Sequence, residues 1–451
     1  MNYKETWTFL DNLQFFKIKL GLESMRMFLQ ELGSPEADLK FVHIAGTNGK
    51  GSVAVTLLTL LAKAGYTVGL YTSPHLSSVR ERFRINDEYI SEKEFAEEGS
   101  RIHDILADRQ ITYFEFTTAL AMLWFAGRKV DLVILEVGLG GRLDATNVVT
   151  PLVSIITNVS MDHEMYLGNT LSEIAGEKAG IIKESVPVIS GVGTGETEDE
   201  RIVLSVVERF CKERKAPLFL HGRDFFVEPT ELGKWDYWAM KRKGCCKLRE
   251  KIKDLFSNLK GKYQMENTGL ALATLEILDR FGFSVDEAII RSGLREVSWP
   301  GRLGSFCISR DDGRPVKCGA ENSLHYLLDG AHNPAGVASL CEALENDFEY
   351  ARLIIVWASM SDKDFAAPLR QIGKSADVMI FTRLEYERSA RPEHLLNALP
   401  DDIQDRAACE SSLESALVKA AEIATPADLI CIAGSLYMVG EARKLLRGEL
   451  V

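Results

Sequence analysis

Apolar residues gather along this chain in short, near-continuous runs, each followed by a longer stretch in which they recur every third or fourth position. Runs rich in valine, isoleucine and leucine without polar alternation read as strands buried on both faces, and the longer recurrence reads as helices packed on them. The pattern predicts strands at 41–45, 67–71, 132–137, 153–157 and 187–189, with helices near 50–64, 92–107, 117–126 and 171–179. A helical pattern returns at 264–281, after a less regular, aromatic-rich stretch at 223–252 that reads as a small sheet excursion. Several strands end directly in glycine, serine, asparagine or histidine, which puts the polar work at the C-terminal edge of a parallel sheet.

Glu296-Val297-Ser298-Trp299-Pro300-Gly301-Arg302 reads as a junction, because Pro-Gly halts regular structure just before a new strand begins at Leu303. A second alternating unit follows, with strands at 326–328, 353–357, 378–381 and 429–433. The expected architecture is α/β in two domains, 1–296 and a smaller 303–451, joined by a 297–302 linker and separated by a cleft. A length of 451 residues, more than one core usually supports, agrees with that division.

Composition narrows the function classes. With 46% apolar and 26% charged residues the chain is ordinary for a soluble protein, and a net charge of −12 argues against a nucleic-acid partner. The eight cysteines include no C-x-x-C pair, so reduced thiols in a cytoplasmic protein are expected. The Met-Asn-Tyr-Lys-Glu start fits neither a secretory signal nor a transit peptide, and no run approaches the ~18–20 apolar residues of a membrane span. A monomer acting on small molecules is the default expectation.

The most informative segment is Gly46-Thr47-Asn48-Gly49-Lys50-Gly51-Ser52, a glycine-rich turn with one lysine between a predicted strand and a predicted helix. Small residues let successive N–H groups face an anion, the helix start adds its positive end, and Lys50 adds a full charge, as a nucleotide triphosphate requires. The spacing differs from the common G-x-x-x-x-G-K-[ST], since only two residues separate Gly46 from Gly49 and Gly51 intervenes before Ser52. The first domain is therefore expected to be a P-loop ATPase domain with a mainly parallel sheet, and the second a Rossmann-like α/β domain.

Other strand ends carry candidate chemistry. Glu136 closes the 132–137 run just before Gly138-Leu139-Gly140-Gly141-Arg142-Leu143-Asp144, where a carboxylate is placed to hold Mg²⁺ against a nucleotide or to serve the fold alone. His163, in Thr157-Asn158-Val159-Ser160-Met161-Asp162-His163, reads as a metal ligand or a loop residue. Asp329-Gly330-Ala331-His332-Asn333-Pro334 sets a carboxylate for ribose hydroxyls and an imidazole for a phosphate or an amine, although Asp-Gly is also a simple turn. Arg302 stands where a guanidinium would meet a phosphate.

Together these segments resemble the folylpolyglutamate synthase/dihydrofolate synthase family, the folate branch of the Mur-type ATP-dependent amide ligases. The resemblance spans nearly the whole chain and adds Thr72-Ser73-Pro74-His75-Leu76, Phe114-Glu115-Phe116, Leu143-Asp144-Ala145-Thr146-Asn147, Glu177-Lys178-Ala179-Gly180-Ile181, Gln264, Asn267, Asp362-Lys363-Asp364 and Gly434-Ser435. It implies that Lys50 and the surrounding amides hold the ATP phosphates, that Ser73, Glu136 and His163 ligate two Mg²⁺ ions, and that Lys178 is carbamylated. Carbamylation needs a neutral amine, so the pocket must hold the Lys178 pKa well below ~10.4. Asn267, Arg302, Asp329 and His332 resemble the adenine-, phosphate- and ribose-contacting positions, while Thr72, Pro74, His75 and Asp144 resemble pterin-side contacts. No role is implied for Cys245 and Cys246.

The implied reaction joins L-glutamate to dihydropteroate, to reduced folate polyglutamates, or to both, with ATP as co-substrate and an acyl phosphate as intermediate. ATP and folate are expected to bind residues 1–296 first, with Arg302, Asp329 and His332 arriving as the domains close; His332 is a candidate for deprotonating the amine. A UDP-muramoyl-peptide ligase shares the chemistry, but the phosphate turn begins at residue 46, leaving little chain for a nucleotide-sugar domain. A nucleotide-operated switch is the alternative from a different class; it would turn nucleotide over independently of folate and glutamate.

Overall fold

The computed structural model describes the chain except residues 14–21, 108, 232, 241–250, 321, 362–364, 387–388 and 449–451. Cys245, Cys246 and the Asp362-Lys363-Asp364 motif therefore lie outside the described residues. The chain divides into one unit of Met1–Pro74, Val79–Asn258 and Gln264–Val297, and another of His75–Ser78, Leu259–Tyr263 and Ser298–Val451.

The first unit is built on a sheet of strands β1 (Phe41–Ala45), β2 (Val68–Tyr71), β3 (Phe83–Ile85), β4 (Glu88–Tyr89), β5 (Leu132–Glu136), β6 (Val153–Ile156), β7 (Val188–Ser190) and β8 (Leu218–Leu220). Among the described residues the order is β4-β3-β2-β5-β1-β6-β7-β8. The run from β2 to β8 is parallel, and β3 and β4 add an antiparallel edge. Every residue of β1 and β5 is buried, as uninterrupted apolar runs require. The chain continues to one side of β1 through β2 and β5 and to the other through β6, so loops part at the C-terminal end of β1, where open α/β sheets bind ligands.

Caps set the helix bounds more sharply than the apolar pattern does. The helix Tyr113–Gly127 starts ahead of the expected 117, because the Thr112 hydroxyl accepts the Glu115 N–H and the Glu115 carboxylate accepts the Thr112 N–H at 2.9 Å. The irregular stretch after β8 is a small antiparallel sheet of β9 (Phe225–Pro229), β10 (Trp235–Ala239) and β11 (Ile252–Leu255), ordered β11-β10-β9. Phe225, Trp235 and Tyr237 are fully buried, which accounts for the aromatic clustering.

The second unit holds β12 (Gly304–Ser309), β13 (Pro315–Val316), β14 (Ser323–Leu328), β15 (Leu353–Trp357), β16 (Val378–Phe381), β17 (Ala407–Cys409) and β18 (Leu429–Ala433), ordered β13-β12-β14-β18-β15-β16-β17. The five strands from β14 to β17 in that order run parallel; β12 and β13 form an antiparallel edge. One cluster of apolar side chains covers each face of this sheet. One expectation is corrected here: Cys307 and Cys318 are joined in a disulfide, so the cysteines are not all reduced thiols. The β12–β13 register sets Cys307 opposite Val316 and returns the chain so that the two Cα atoms lie 5.1 Å apart, a geometry that spacing in the sequence does not reveal.

Candidate active site

At the end of β1 the backbone turns through Gly46 (φ +150°) and Gly49 (φ +86°) into the helix Lys50–Lys63. A Cβ at Gly46 would fall 1.8 Å from Thr157 Oγ1, and one at Gly49 would fall 2.3 Å from Asn267 Oδ1. Glycine is thus imposed at both positions by neighbours as well as by dihedral angle. The exit of β6 fastens the turn: the Thr47 N–H donates to Asn158 O at 2.9 Å, the Asn48 N–H to Asn158 Oδ1 at 2.8 Å, and Thr157 Oγ1 donates to Asn48 O at 2.6 Å. Lys50 Nζ donates to Gly46 O at 2.9 Å and Thr47 O at 3.1 Å. The Gly49 cap offers no side chain to the helix N-terminus, which suits an anion, and Ser52 is buried in the first turn.

Beside the turn on the same sheet edge, the Ser73 N–H donates to Glu136 Oε2 at 3.1 Å. Glu136 is buried at the end of β5, and Ser73 Oγ is buried with no hydrogen-bond partner. A carboxylate and an orphaned hydroxyl are hard oxygen donors of the kind Mg²⁺ prefers, so these two residues fit the ion that the motifs imply. His163 stands after β6, exposed and in the left-handed region (φ +54°), with Nε2 3.9 Å from the Asp162 carboxylate.

Lys178, near the end of the helix Leu171–Ala179, is buried, and burial together with the charge of Lys50 brings its pKa down to about 7, while Asp162 pulls it upward. Its amine is therefore substantially neutral at physiological pH, as carbamate formation demands. Asp162 enters the site through this interaction, and Asn158 through the turn; the motif 157–163 contains both, but spacing alone assigns neither a role.

Asp144 is placed differently from a substrate contact. Its Oδ2 accepts the Gly138 and Leu139 N–H groups at 3.0 and 2.9 Å, and its Oδ1 accepts the Thr146 N–H at 3.0 Å and the Thr146 hydroxyl. Four donors fill what a carboxylate can accept, so Asp144 shapes the glycine-rich loop from within. Burial raises its pKa. Thr72 is likewise buried, its N–H donating to Arg82 O at 3.1 Å. Pro74 is exposed at the end of the first unit's segment, and His75, half-buried, belongs with the second unit.

Asn267 packs against Gly49 and donates through Nδ2 to Gln264 Oε1 at 3.0 Å, leaving the buried Gln264 Nε2 without a partner. In the second unit, Asp329 directly follows β14 and is buried. It accepts the Leu303 and Ala331 N–H groups, each at 2.8 Å; burial raises its pKa and the Arg302 charge opposes that rise. Arg302 lies against Gly330, where a Cβ would fall 2.6 Å from Nη1. His332 Nδ1 donates to Gly330 O at 2.8 Å, which fixes the proton on Nδ1 and makes Nε2 the basic nitrogen. Asp329, Arg302 and His332 thus share one strand-end cluster.

A triphosphate-type turn at the switch point of one α/β sheet, followed in the same chain by a second α/β unit, is the frame of a nucleotide-dependent enzyme, and family matches over both units make it a Mur-type ligase. The Mur ligase middle domain matches residues 44–275, and the Mur ligase, glutamate ligase domain matches 313–436. The dihydrofolate synthase/folylpolyglutamate synthase of Bacillus subtilis is 33% identical over 99% of both chains. Escherichia coli FolC in complex with DHPP and ADP superposes with a TM-score of 0.83 at 29% identity, covering 99% of this chain and 98% of that one. The bifunctional enzyme of Yersinia pestis, complexed with AMPPNP and Mn ion, gives 0.82 at 29% identity over 99% and 98%. This chain belongs to the folylpolyglutamate synthase/dihydrofolate synthase family.

Proposed function

We propose that this protein is an ATP-dependent ligase that joins L-glutamate to dihydropteroate and to reduced folate (poly)glutamates, releasing ADP and phosphate. The observation that carries the reading is the 46–52 turn, in which Thr157 and Asn267 impose glycine at 46 and 49 and the helix start is left without a side-chain cap. We place its action in the cytoplasm, as a monomer; no helix among the described residues is long and apolar enough to cross a membrane.

A carboxylate is a poor electrophile, and its oxygen a poor leaving group. In the proposed sequence a carboxylate oxygen of the pterin substrate attacks the γ-phosphorus of ATP, the bond to the β-phosphate oxygen breaks, and ADP leaves. The glutamate nitrogen then attacks the acyl carbon of the mixed anhydride, the carbon–oxygen bond to phosphate breaks, and the amine sheds a proton. The first step joins two anions, which ~4 Å apart repel by ~4 kcal/mol at an effective dielectric of 20. Lys50 offsets part of that repulsion once its ammonium exchanges the Gly46 and Thr47 carbonyls for phosphate oxygens. Two Mg²⁺ ions held by Ser73, Glu136 and His163 would supply further positive charge against the phosphates. A carbamate formed from the neutral Lys178 amine and CO₂, with loss of a proton, would put an anionic oxygen ligand where the amine stood.

Arg302 is proposed to meet the phosphates, Asp329 the ribose, Asn267 the adenine, and His332 Nε2 the proton of the amine. Thr72, Pro74 and His75 are proposed on the pterin side, and Asp144 acts there through the loop it holds. The deciding assay compares ATP- and glutamate-dependent product formation with dihydropteroate and with tetrahydrofolate. Product from both is expected; ATP hydrolysis independent of pterin and of glutamate would instead favour the switch reading.

A further inference from the structure

The second unit carries a cluster that the ligase reaction leaves unused. Cys307, on β12, faces His325 across the β12–β14 ladder, and directly opposed residues of an antiparallel pair project from the same face. The β12–β13 hairpin brings Cys318 to that face. The two sulfurs and a ring nitrogen of His325 all lie within 4.8 Å of one another. The alternation along β12 separates this group from the apolar core on the opposite face, where Phe306 and Ile308 pack with Leu324, Tyr326 and Leu328.

We propose that Cys307, Cys318 and His325 form a redox-gated site for a soft divalent cation of the zinc type, closed to metal as the disulfide and open to it as two thiolates and one imidazole. Tetrahedral zinc holds sulfur at ~2.3 Å and nitrogen at ~2.0–2.1 Å, so its ligand atoms stand roughly 3.5–3.8 Å apart. Separation of the two sulfurs on reduction brings this triplet to that spacing without moving a strand. Two thiolates balance the charge of the ion. Cys307 is 2% exposed, whereas Cys318 is exposed and gives reductant and metal a way in.

The gate opens by exchange with a dithiol reductant. One sulfur of the dithiol, as thiolate, attacks Cys318 Sγ, the bond to Cys307 Sγ breaks, and Cys307 departs as thiolate. The second sulfur then attacks the first in the mixed disulfide, releasing the Cys318 thiolate and leaving the reductant oxidised to its own disulfide. The dithiol gives up two electrons and two protons, and the zinc ion takes the two thiolates.

Zinc itself is the probe. The full chain, oxidised or dithiol-reduced, stripped with chelator and desalted, is equilibrated with zinc, and bound metal is counted by atomic emission. The reduced chain is expected to hold one equivalent more than the oxidised chain, and Cys318→Ser and His325→Ala to lose that equivalent. Cobalt in its place is expected to show a thiolate-to-metal charge-transfer band. Oxygen-ligand sites elsewhere contribute equally to both redox states and give no such band. Equal zinc in the two states, no thiolate band, or retention of the equivalent by His325→Ala would overturn the proposal; the comparison of redox states on the unaltered chain holds even where a variant folds poorly.

Discussion

Lys50 and Lys178 place two ammonium groups close enough for the charge of one to depress the pKa of the other. Such an arrangement costs the apo fold and is useful only to something anionic. Lys50→Ala removes two hydrogen bonds to turn carbonyls, a loss of about 1–3 kcal/mol, yet is expected to lower kcat at least ~100-fold because the phosphates lose their charge partner. Parallel thermal melts and turnover assays separate the effects, and full activity in the variant would remove the phosphate assignment. For Lys178 the sign follows from linkage. The unfolded chain keeps this proton up to a pKa of 10.5, the folded chain gives it up near 7, so between those values the unfolded state binds more protons and stability rises with pH. Below about 7 the folded state carries the full cost of the buried charge. In CO₂-free buffer, Lys178→Met is therefore expected to be more stable than the parent at pH 6.5, with the advantage vanishing towards pH 10. Denaturant melts across that range check it, and a constant difference would show that Lys178 does not titrate with folding. The same variant is expected to be inactive, since it cannot form the carbamate proposed at this position.

The phosphate turn works as an element because Thr157 and Asn158, just after β6, and Asn267, on the helix Lys262–Leu278, dictate its shape. A methyl group at Gly49 meets Asn267 Oδ1 and demands a positive φ of an alanine, so Gly49→Ala is expected to cost about 1–3 kcal/mol and to abolish nucleotide binding. Calorimetric titration with ADP checks the second half, and unchanged affinity would mean that the turn is not the site. The turn was legible in the sequence because strand, glycines and lysine are contiguous there. Its fastening was not, because Asn158 follows another strand and Asn267 sits within the helix Lys262–Leu278, and order along the chain does not show that either meets the turn. Asp144 shows the opposite failure: its family motif is readable, but only the fold reveals that four donors from its own loop consume its oxygens. Edge strands were hidden for a related reason. β3, β4 and β13 are two or three residues long, too short for a period to register, whereas β12 is the strand expected from Leu303 and only its antiparallel direction was unreadable.

At the scale of the whole molecule, the chemistry is divided along the chain: the phosphate turn, Ser73, Glu136 and Lys178 belong to the first unit, and Arg302, Asp329 and His332 to the second. A ligase that merely activated a carboxylate would need only the first set. An acyl phosphate is destroyed by water, so the second set is proposed to commit the anhydride to the amine rather than to hydrolysis. Phosphate release from enzyme, ATP and dihydropteroate is therefore expected to be at least ~100-fold slower without glutamate than with it, the anhydride waiting unhydrolysed. His332→Ala is expected to reduce amide formation more than acyl phosphate formation, because Nε2 is proposed to handle the proton of the amine and takes no part in phosphoryl transfer. Rapid-quench measurement of ADP and amide in one experiment separates these steps. Equal phosphate release with and without glutamate would mean that this chain leaves its intermediate open to solvent, and the division of labour between the two sets of residues would have to be abandoned.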